Sequence, residues 1–120
     1  MSKPFDLEER TFLFAKDCRN YIYKLPKTIS NIEDGKQLVR SSGSVGANYI
    51  EANEKLGDKD LSFRLKIARK EAKESKYWLR LLNEMNTEFS ETSQSLIIEV
   101  EEIRKILSTI ITKINKNSII

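Results

Sequence analysis

The sequence predicts an all-α fold: one domain over residues 1–120, built as an antiparallel up-down-up-down four-helix bundle. Three observations lead there. Apolar residues recur at alternating steps of four and three in successive stretches of the chain. Only four glycines and two prolines interrupt the 120 residues, too few turn formers for a many-stranded sandwich. The links between the periodic stretches are short, and short links favour antiparallel neighbours. Hydrophobic residues at 39% and charged residues at 32% suit amphipathic helices with solvated outer faces.

Helix one opens at Asp6 and Glu9, which have capping-box spacing, and carries Leu7, Thr11, Phe14, Cys18, Tyr21 and Leu25 on one stripe. Phe5, Phe12 and Ile22 widen that stripe. Pro26 ends the helix, because the residue before a proline is pushed out of the helical region.

Helix two is expected to start at a second capping box, Ser30 with Glu33, and to place Ile32, Leu38, Val45, Tyr49 and Ala52 on or near the inner side. Gly35 weakens its first turn. The stretch Arg40 to Glu54, RSSGSVGANYIEANE, holds Gly43 and Gly46 within the helical pattern. A glycine costs a helix interior about 1 kcal/mol relative to alanine, so close backbone packing is the expected compensation. Gly57 supplies a left-handed stop, and Asp58 is expected to cap the next helix.

Helix three has the clearest pattern, with Leu61, Leu65, Ala68, Ala72, Ser75, Leu79 and Leu82 in unbroken register and an end near Asn86. NTEFSETS reads as a connection. Helix four then carries Leu96, Val100, Ile103, Leu107, Ile110 and Ile114. Asn115, Asn117 and Ser118 are expected to fray, while Ile119 and Ile120 leave two apolar residues to dock on another subunit.

Several kinds of chemistry have no foothold in these residues. Histidine is absent, which removes the commonest general base and the Glu-x-x-His pairs of di-iron bundles. Cys18 is the sole cysteine, with no second thiol for a zinc site and no histidine to activate it. GSVG is followed by no Lys-Ser or Lys-Thr and preceded by no strand, so it is not a phosphate loop. No cofactor, metal or catalytic residue is assigned, and the chain reads as non-enzymatic. Without a signal peptide pattern or a run of about 18 apolar residues, it also reads as cytoplasmic, with no membrane partner.

Two clusters carry what specificity remains. Arg40, Asn48, Glu51 and Glu74 form a candidate polar network that fixes helix register; the sharper alternative makes Glu51 and Glu74 an acid–base pair. From Lys59 to Arg80 there are eight basic and three acidic residues, a local charge of +5 in a chain of net +3. Lys66, Arg69, Lys70, Lys73, Lys76 and Arg80 follow helical spacing along one side of helix three. Like charges one turn apart repel by a few tenths of a kcal/mol each, a cost that an anionic partner offsets; the other reading is a solvated outer face. Tyr77 and Trp78 beside this row read as core or subunit contact, with base stacking as the alternative.

RSSGSVGANYIEANE followed by DLSFRLKIARKEAKESKYWLRLL resembles the four-helix-bundle proteins of intervening sequences in bacterial 23S ribosomal RNA genes. The resemblance runs from about Leu7 to Leu82 and is most specific at Arg40, Ser41, Ser44, Asn48 and Glu51, then Ile67, Ala68 and Glu74. It implies a homopentameric ring. Through the related accessory variability factor of diversity-generating retroelements, it also implies binding to RNA or DNA and to a reverse transcriptase or other nucleic-acid enzyme. No catalytic residue comes with it. The resulting expectation is a homo-oligomeric bundle that binds nucleic acid, or a nucleic-acid enzyme, through the basic side of helix three. A protein-interaction scaffold using Tyr77, Ile119 and Ile120 is the alternative.

Overall fold

The computed structural model describes residues 6–54 and 57–119, with the side chains of 117–119 outside that description. Four helices follow one another: α1 (Leu7–Lys24), α2 (Ile29–Glu54), α3 (Asp58–Met85) and α4 (Ser90–Ile119). Neighbours in sequence pack together and α1 closes against α4, while the diagonal pairs make no backbone approach, which is the up-down-up-down arrangement. The bundle measures 52 × 29 × 19 Å.

The expected stripes are the core. Leu7, Thr11, Phe14, Cys18, Tyr21 and Leu25 are all buried, and so are Leu38, Val45 and Ala52 of α2 and Leu65 to Leu82 of the α3 seam. Ile32 and Phe12 depart and are exposed; in α4 Ile111 continues the buried line after Leu107, with Ile110 and Ile114 partly buried against the core. A straight α-helix drifts about 20° per seven residues against a strict seven-residue repeat, so the buried line gradually leaves that repeat along α4.

The helix starts differ from their sequence expectation. Asp6 makes no side-chain cap, and Glu8 and Glu9 instead lie in the first turn of α1, where negative charge suits the helix dipole. In α2 the cap is Thr28, whose hydroxyl accepts a hydrogen bond from the Asn31 amide at 3.1 Å, so the helix begins ahead of the Ser30–Glu33 pair. Asp58 is inside α3, preceded by Gly57 at φ 128° and ψ 166°, a backbone region open to glycine alone. NTEFSETS is not a loop: one 3-10 turn at Thr87–Phe89 leads into α4 at Ser90. The expected fraying at Asn115 is absent, since α4 runs on to Ile119. Phe5 and Ile120 lie outside the described residues, as does the side chain of Ile119.

Small residues let α2 approach both neighbours. A Cβ on Gly46 would lie 2.9 Å from the Thr11 hydroxyl of α1, and one on Gly35 would lie 3.2 Å from Ile22. On the other side, the Ser75 hydroxyl of α3 donates to that of Ser41 at 2.9 Å, both side chains fully buried. Arg10 joins α1 to α4 through Glu99 at 2.8 Å and Glu102 at 2.7 Å. At one end of the bundle, Asn31 and Asn86 exchange amide hydrogen bonds at 2.8 Å. Each also donates to a main-chain carbonyl, of Pro26 and Leu82 respectively, tying the first and third links together.

Candidate functional site

The basic side of α3 borders a groove of about 650 Å³ between α3 and α4. Lys66, Arg69, Lys70, Lys73, Glu74, Tyr77 and Trp78 line it from α3, and Arg104 and Ser108 line it from α4. Lys66, Lys70, Lys73 and Tyr77 fall at steps of four, three and four, so they share a face turned away from the buried Leu65–Ala72–Leu79 line, with the other α3 residues at its flanks.

The six basic residues named from sequence divide by what they touch. Lys66, Lys70 and Lys73 are exposed, line the groove and have no ion-pair partner among the described residues. Arg69 donates to the Ser108 hydroxyl of α4 at 3.3 Å. Lys76 is turned to α4 and pairs with Glu101 at 3.4 Å. Arg80 is exposed beyond the groove. Glu101 also accepts from Arg104 at 2.6 and 3.0 Å. Those hydrogen bonds, opposed in part by burial and helped by the charges of Arg104 and Lys76, hold its carboxyl down at about 2.

The polar network of α2 and α3 has a different membership from the one expected. Arg40 pairs with Glu74 at 2.9 Å and with the nearly buried Glu71 at 3.3 Å. Asn48 does not join them; its amide donates to the Ser44 carbonyl at 2.9 Å, within its own helix. Glu51 is exposed, without an ion-pair partner among the described residues. It lies eleven residues beyond Arg40, about 16 Å along the helix at 1.5 Å per residue. Glu51 and Glu74 are therefore not brought together.

Arg104, Ser108 and Glu71 were missed in the sequence. Arg104 and Ser108 each follow a seam residue, Ile103 and Leu107, and that offset was the available signal. Tyr77 and Trp78 split in role: Trp78 packs on the core with its Nε1 buried, whereas Tyr77 is 54% exposed, with the rings edge to face at 5.0 Å and 76°. Burial pushes the Cys18 thiol up to about 12, consistent with a core residue. Among the described residues, no group of three or more Cys, Asp or Glu gathers to hold a metal ion, and no helix is long and apolar enough to cross a membrane.

Comparison with known proteins supplies the wider context. No curated protein matches the sequence. A crystal structure of a protein of unknown function from the S23 ribosomal protein family of Bacteroides thetaiotaomicron is 31% identical, with a TM-score of 0.79 over 92% of this chain and 99% of that one. The model of the 23S rRNA-intervening sequence protein family matches residues 4–109, reaching past Leu82 through most of α4. On that match, and on the four-helix architecture that accompanies it, the chain belongs to the 23S rRNA-intervening sequence protein family.

Proposed function

We propose that the protein is a non-enzymatic, homo-oligomeric bundle that binds nucleic acid through the groove between α3 and α4. The observation that carries this reading is the division of charge at the groove. Lys66, Lys70 and Lys73 stand unpaired among the described residues on one open face, while the carboxylates at its two edges are already engaged, Glu74 by Arg40 and Glu101 by Arg104 and Lys76. Neutralised edges leave the lysine row as the exposed charge, and phosphate is the anion that such a row meets along a polymer. Acylation of lysines in the presence of RNA is the test. Protection of Lys66, Lys70 and Lys73 but not of Lys16 or Lys105 is expected; equal labelling with and without RNA overturns the reading.

The oligomer we propose is a pentameric ring. The number five follows the family resemblance; support for self-association is the outer side of α1 and α2, where Phe12 and Ile50 border an apolar groove of about 460 Å³ and Tyr23 and Ile32 border another of about 410 Å³. Exposed apolar surface of this kind marks interaction sites. Native mass spectrometry is expected to find five copies, and a monomer at micromolar concentration contradicts the ring.

A further inference from the structure

We propose that the groove takes an unpaired, single-stranded stretch of nucleic acid, with a base stacked on Tyr77 and successive phosphates on Lys73, Lys70 and Lys66. This rests on the nucleic-acid reading above and sharpens it to one form of the polymer.

Two features of the face support this site, and the first of them favours a single strand over a duplex. The first is a stacking platform at each end of the lysine row. Phe63, Lys66, Lys70, Lys73 and Tyr77 follow one another at steps of three, four, three and four, so all five lie along one stripe of α3. Phe63 is 59% exposed and Tyr77 54%, and neither ring is consumed by the core. Large exposed aromatics flanking a row of cations match the way proteins hold unpaired bases, where each base offers its π-face. A duplex hides those faces within its own stack.

The second feature is spacing. Lys66 to Lys73 covers about 10 Å of helix axis at 1.5 Å per residue. A stacked strand presents a phosphate about every 3.4 Å, so the lysine row spans about four phosphates, leaving the neighbouring base within reach of Tyr77 one turn on.

Trp78 is the only tryptophan in the chain, lines the groove and touches Tyr77 edge to face, so its fluorescence reports occupancy. The experiment titrates the full chain with a short oligoadenylate and, separately, with a blunt RNA duplex carrying the same number of phosphates. The oligoadenylate is expected to bind more tightly and to change Trp78 emission. Tyr77→Leu is expected to weaken oligoadenylate about tenfold, the worth of one base stack, while leaving its salt dependence intact; Tyr77→Phe keeps the affinity. Equal affinity for strand and duplex, with Tyr77→Leu indistinguishable from the parent, overturns the single-strand inference and leaves the nucleic-acid reading standing. Binding of neither probe overturns the reading itself.

Discussion

Glu101 is the residue on which the charge of the groove turns. Its carboxylate holds Arg104 and Lys76 back, and it does so because their hydrogen bonds and charges keep it ionised down to about pH 2. The folded value lies below the ordinary 4.5, so the stabilisation is fully present above about pH 4.5 and is lost as pH falls through about 2. Glu101→Gln is expected to lower stability at neutral pH by about 0.5–1 kcal/mol, as suits a half-exposed ion network. In urea melts the gap to the parent is expected to close towards pH 2. The same change releases two cations to the groove, so affinity for RNA is expected to rise. Arg40 with Glu74 was legible in the sequence as a polar cluster, because both stand at helical spacing near a packed seam. Glu71 was not, since only the fold shows that Arg40 also reaches this second, nearly buried glutamate one turn before Glu74.

At the scale of elements, the stripes were legible and the ends were not. A stripe is the sum of many apolar positions and survives one error, as at Ile32. A cap depends on the backbone angles of one residue: Asp6 sits at φ −91° and ψ 38°, outside the extended conformation from which a side chain bonds the first turn. The glycines of α2 were legible as a packing device, and Gly46 tests it. Gly46→Ala improves helix propensity by about 1 kcal/mol but drives a methyl into Thr11, whose hydroxyl is itself held by the Glu8 carbonyl at 2.9 Å. Overpacking of this kind costs about 1–3 kcal/mol, so a net loss of about 1 kcal/mol is expected by urea denaturation. Adding Thr11→Ala is expected to make the pair more stable than the two single losses sum to, because the clash has gone.

For the whole molecule, the four-helix order follows from the short links and the seams, and both were in the sequence. What was not legible was the pairing of α3 with α4 into a groove, because Arg104 and Ser108 come from an element with no basic excess of its own. The basic residues of α3 also looked equivalent along the chain. Packing separates them: Lys76 and Arg69 face α4 and are engaged, whereas Lys66, Lys70 and Lys73 remain open. The central claim is that these three lysines bind phosphate, and the salt dependence of RNA binding addresses it most directly. Each phosphate contact to a single strand contributes about 0.7 to the slope of log affinity against log salt. Replacing Lys66, Lys70 and Lys73 with glutamine is therefore expected to flatten the slope by about 2 with the helix content unchanged; an unaltered slope would contradict it.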